Sequence, residues 1–121
     1  MFGIKNFEQA RKNVESARNR LAEVAAGSAL RELSNAINAV AHAEGVAEVF
    51  GLVELMERNG ASEVVISLEL GARMGHGADD SWSGRGNDVQ RAKHDGFRDA
   101  AQNIIRASLY RMEEAEEAKS A

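Results

Sequence analysis

Two sets of residues in this chain have the types and spacing that chemistry would need. The first runs from Gly71 to Gly86, where Gly71, Gly75, Gly77, Gly84 and Gly86 stand among Arg73, His76, Asp79, Asp80, Trp82 and Arg85. Glycines let backbone amides come close to an anion, and a helix N-terminus behind them adds unpaired N–H groups and the positive end of a dipole. Asn87 and Gln90 have the spacing of a capping box, so a helix is expected to open there. Arg73, His76, Trp82, Arg85, Asn87 and Arg91 then make a candidate site for a nucleotide or a similar anion. The pattern has neither the Lys-Ser/Thr pair of a phosphate-binding loop nor the third spaced glycine of a dinucleotide fingerprint. The plainer reading is a loop that Trp82 pins to the body through its apolar ring.

The second set is His76, Asp79, Asp80, His94 and Asp95. An adjacent His94-Asp95 pair on one helix, with His42 on another, resembles the ligand set of helical metal-dependent phosphohydrolases. That resemblance implies a metal held by His42, His94 and Asp95. The chain departs from the pattern because no well-separated final aspartate follows; Asp99 is only one turn beyond Asp95. Ser67, Ser81, Ser83 and Ser108 lie in no nucleophile motif, and the absence of cysteine removes thiolate catalysis, disulfides and cysteine-bound metals together. The residues therefore favour a protein without catalytic activity and without a cofactor.

The elements that would position these residues are mainly helices. The chain has 121 residues, enough for one domain with one core, and it has no proline, as suits long helices. A helix is predicted over 6–26, opened by a capping box at Asn6 and Gln9 and carrying a heptad-like seam of Phe7, Ala10, Val14, Ala17, Leu21 and Val24. Gly27 then provides a short turn into a long central helix over 29–59, which makes an antiparallel hairpin with the first. Leu30, Leu33, Ile37 and Val40 form one apolar side of it. Beyond Gly45 the apolar residues occupy more than one face, so that half should be covered on two sides. Gly45 and Gly51 mark either kinks or points of close helix contact, and Gly60 after Asn59 is the expected stop.

Over 63–70 the period changes: Val64, Ile66, Leu68 and Leu70 alternate with Glu63, Ser67 and Glu69, the pattern of a half-buried strand. A lone strand leaves backbone groups unpaired and needs a partner. The glycine-rich loop follows over 71–86, then a helix over 88–115 and an acidic tail over 116–121 that is expected to fray, since carboxylates oppose the dipole at a helix C-terminus.

The expected fold is thus mainly α: a helical hairpin and a C-terminal helix, with one short strand or hairpin and a glycine-rich loop. The surplus apolar surface and the unpartnered strand predict a homodimer joined through Phe50, Val53, Val64, Ile66, Leu68 and Leu70. A net charge of -4 argues against a surface built to grip nucleic acid, and the mixed charges of the first helix read as a solvated face. The N-terminus has no signal-peptide pattern and no run reaches the length of an uninterrupted apolar span, so a cytoplasmic protein is expected. The function that fits is a small interaction module, of the kind a phage or mobile element uses to block a larger host protein. Its partners are a second copy and an unidentified protein, and the ligand-binding loop is the alternative.

Overall fold

The structure, a computed structural model, describes residues 3–25, 30–81 and 88–120. All four elements among them are helices: α1 (Gly3–Ala25), α2 (Leu30–Arg58), α3 (Glu63–Ser81) and α4 (Asp88–Ser120). The seam of α1 faces inward as its spacing requires, with Ala10 and Val14 buried and Phe7, Ala17, Leu21 and Val24 half-buried. Asn6 does not cap α1, because the helix already includes Gly3. The turn at Gly27 and the residues Trp82, Arg85 and Asn87 lie outside the described residues.

The helices form a row whose spatial order differs from the chain order. Helix α1 packs on α2, α2 on α4, and α4 on α3, while α2 and α3 touch only marginally. Phe7 lies against Gly51 and Arg18 against Glu44, so α1 runs antiparallel to α2. Val49 and Val53 share a core with Phe97, Ala100 and Ile104, and Glu63, just past the end of α2, pairs with Arg111, so α4 runs parallel to α2 and antiparallel to α3. It crosses α2 where Gly45 meets Lys93 and Phe97 and Gly96 meets His42.

Helix α2 is continuous, and its glycines are contact points rather than kinks. A Cβ built on Gly45 would overlap the Lys93 carbonyl and lie 2.8 Å from the Phe97 amide nitrogen. One built on Gly96 would overlap the His42 carbonyl and lie 2.9 Å from its carbon. Each of the two glycines therefore faces the backbone of the other helix at the α2–α4 crossing. The stripes Ala41-Gly45-Val49-Val53 and Ala92-Gly96-Ala100-Ile104 meet there, each with four-residue spacing. On the other side of α2, a Cβ on Gly51 would lie 3.2 Å from the Phe7 ring. Coverage on two sides is thus met by α1 and α4. Leu30 and Ile37, expected on the apolar side, are exposed, because the small stripe through Ala36, Ala41 and Gly45 takes the contact instead.

The stop of α2 follows the expected chemistry. Gly60 adopts φ 81°, its N–H donates to the Glu57 carbonyl at 3.0 Å, and the Ala61 N–H donates to the Met56 carbonyl at 3.0 Å. These are the two bonds of a Schellman motif. Ser62 then caps α3: its Oγ accepts from the Val65 N–H at 3.3 Å and its carbonyl accepts from Ile66 N–H at 3.0 Å.

The predicted strand over 63–70 is the first half of α3, and 71–81 of the predicted loop is its second half. The two-residue alternation splits into two i, i+4 pairs on opposite faces of a helix. Ile66 and Leu70 are 3% and 0% exposed against α4, whereas Val64 and Leu68 are 51% and 69% exposed. Helix α4 continues through the acidic segment to Ser120 where fraying was expected, with Lys119 in its last turn to complement the dipole. The central core joins Val49 and Val53 of α2, Ile66 and Leu70 of α3, and Phe97, Ala100, Ala101 and Ile104 of α4.

Candidate functional site

Of the predicted anion site, only Arg73, Arg91 and the His76 backbone fall among the described residues. Arg73 lies on α3 and its Nε donates to Glu69 Oε1 one turn back at 2.9 Å. The His76 backbone belongs to α3, with its side chain outside the described residues, and Arg91 stands exposed on α4. The glycines that were to form a cradle, Gly71 and Gly75, lie inside a helix whose N–H groups are used by the helix itself.

The residues of the metal set are spread over two helices, His42 on α2 and His94 and Asp95 on α4. His42 Nε2 lies 3.4 Å from Asp99 Oδ2, across from α2 to α4. Asp95 pairs with Arg98 at 3.3 Å on its own helix, and His94 is buried in α4. Among the described residues no group of three His, Cys, Asp or Glu side chains converges to hold a metal ion. The six residues predicted as an interface also divide. Val53, Ile66 and Leu70 are core, Phe50 is half-buried, and Val64 and Leu68 are on the surface.

What the fold does assemble is a pair of grooves, because α1 and α4 both flank α2. One, of about 870 Å³, is charged: Arg11, Lys12, Arg18 and Lys93 mix with Glu8, Glu15, Glu44 and Glu48. Arg18 pairs with Glu44 and Lys93 with Glu48, each at 3.6 Å and largely in solvent, so the opposed charges cancel and no single sign is offered to a ligand. The expectation of a solvated face holds, with the ion pairs running between helices.

The other groove, of about 480 Å³, has a different character. Its floor is Val46 and Phe50 of α2 with Ala100, Ile104 and Ala107 of α4, and Asn6 and Asn103 stand on its sides. The His42–Asp99 pair lies toward one end and Arg111 toward the other. Arg111 Nε donates to Glu63 Oε1 at 2.8 Å and its Nη2 to Ser108 Oγ at 3.3 Å, so its guanidinium is held at the α3–α4 junction. From Asp99 to Arg111 the groove follows α4 for roughly 18 Å at the helical rise. Sequence reading missed this site because no motif marks it; the only signal was the breadth of the apolar surface over Val46–Met56, of which Val46 and Phe50 are part.

Helix α2 is also, by length and composition alone, the one described helix apolar enough to cross a bilayer. Its Glu44 and Glu48 pair across to Arg18 and Lys93, and its Val49 and Val53 are closed off by neighbouring helices. The class defined by these observations is a four-helix row with an apolar trough. No protein-family model, curated protein or solved structure matches the chain.

Proposed function

We propose that the protein is a non-enzymatic, cytoplasmic interaction module that seats an amphipathic helix of a larger protein in the groove between α1, α2 and α4. The observation that supports this is the make-up of that groove: a trough about three helical turns long, with an apolar floor and polar side chains at its ends. Such a trough suits a helix presenting apolar anchors at i, i+4 and i+7. The His42–Asp99 pair and the Asn6 and Asn103 amides would meet the polar margins of the incoming helix. Burying a helix of a larger protein in this way would also block whatever that helix does, which is the inhibitory role the sequence suggests.

The test is affinity capture with the full chain and with Ala107→Arg, which places a charged side chain in the trough from an exposed position. A protein retained by the wild type and lost with A107R, while the two far-UV spectra coincide, supports the reading. Equal retention by both refutes it. A benzophenone side chain at Asn103 should crosslink the same protein.

A further inference from the structure

A second surface, away from that groove, has its own occupant. Helix α3 buries Ile66 and Leu70 against α4 and leaves Val64, Val65 and Leu68 in solvent, a contiguous apolar patch with no covering element among the described residues. The same face continues through Gly71, Ala72 and Gly75, all exposed, and a Cβ added at Gly71 or Gly75 would meet nothing within 4 Å among the described residues. Positions 64, 68, 71 and 75 follow the four-three-four spacing of a coiled-coil seam, with Val65 and Ala72 beside it. One half of the seam is therefore large and the other half bare backbone. Glycine in an exposed helix interior is destabilising, and among the described residues nothing compensates for it at either position.

We infer that this face is a homodimer interface in which two α3 helices pack antiparallel across a two-fold axis. With the axis between positions 69 and 70, Val64 of one copy lies over Gly75 of the other and Leu68 over Gly71, so each large half fills the hollow of the other. A parallel pairing would set the large residues against each other and glycine against glycine. Shape thus selects a second copy over an unrelated helix. The chain exposes 8124 Å², against roughly 6,400 Å² for a compact monomer of 13.1 kDa, so the row is more open than a closed globule and has surface to give to a standard interface of roughly 800 Å² per partner. The groove between α1, α2 and α4 is untouched by this pairing, so the inference stands apart from the proposed function and is tested on the purified chain alone.

The experiment is sedimentation equilibrium of the full chain, with crosslinking to fix the orientation. The wild type should sediment at twice 13.1 kDa. Leu68→Lys, changed at an exposed position and occurring twice in the interface, should weaken association about 100-fold or more by loss of two buried leucines. The double variant Gly71→Ala, Gly75→Ala should remain helical, unfold at a higher temperature when dilute, and still dissociate more readily, because methyl groups fill the hollows. The chain has no cysteine, so single cysteines report cleanly. A mixture of Val64→Cys and Gly75→Cys should form a disulfide-linked pair, whereas Val64→Cys alone should not. A monomeric wild type, a dimer indifferent to L68K, or self-linking of V64C would overturn the inference.

Discussion

Replacing Gly45 by alanine sets a local gain against a tertiary cost, and the structure decides which wins. In the helix interior alanine is favoured over glycine by about 1 kcal/mol. The added methyl would overlap the Lys93 carbonyl and stand 2.8 Å from the Phe97 amide nitrogen. A carbon normally keeps about 3.3 Å from a carbonyl oxygen, so α2 and α4 must separate by roughly an ångström. Both opposing atoms are backbone, and no side-chain rotamer can absorb the shift. A gap of that size forfeits about a quarter to a half of the dispersion energy along the contact, which includes Val49, Val53, Phe97 and Ala100. Overpacking of this kind costs about 3 kcal/mol at the upper end of its usual range, leaving a net loss of about 2 kcal/mol after the propensity gain. Thermal unfolding followed by circular dichroism should show Tm lower by about 8 °C. Gly96→Ala should behave alike, and the double variant should lose less than the sum, since one separation relieves both overlaps. Unchanged or raised stability for Gly45→Ala would refute the close crossing, and with it the placement of α4.

Other perturbations separate the faces of α3 and the chemistry around it. Leu70→Ala should cost about 2–5 kcal/mol in urea unfolding, while Leu68→Ala, measured in dilute solution, should stay within about 0.5 kcal/mol; equal effects would restore a strand-like reading of 63–70. Ser67→Ala should be neutral or stabilising by about 1 kcal/mol, because Ser67 Oγ is buried without a hydrogen-bond partner among the described residues. Gly60→Ala should lose about 1 kcal/mol or more, since φ of 81° strains any residue with a Cβ. Arg111→Gln should change stability by less than about 1 kcal/mol: the pair with Glu63 is about half in solvent, at 44% and 41% exposure.

The parts of the fold that were legible in the sequence were those set by local rules. Gly60 after Asn59 stopped α2 where it should, and the seam from Phe7 to Val24 turned inward along its length. Gly45 and Gly51 were visible as either kinks or points of close contact, and neither the choice nor which helix each would meet could be read, because both depend on the row order. The segment 63–70 misled because a period of two also describes a helix that is apolar on two opposite sides. Ser62 followed by Glu63, directly after a glycine stop, was the start signal that would have favoured a helix. The candidate groove had no sequence signature, since its floor joins Val46 and Phe50 to Ala100 and Ile104 across a crossing that only the glycine pair makes close.

The row order also bears on how the chain is made. Helix α4 is inserted between α2 and α3, yet it follows both in the chain. During synthesis the α1–α2 hairpin can close as soon as it leaves the ribosome, because its contacts are internal to it. Helix α3 emerges next with only a marginal contact on α2, and Ile66 and Leu70 remain largely exposed together with Val64 and Leu68 until α4 arrives. A nascent chain stalled before Asp88 would therefore present an apolar helix on both sides, a natural target for chaperones and for premature association with neighbouring nascent chains.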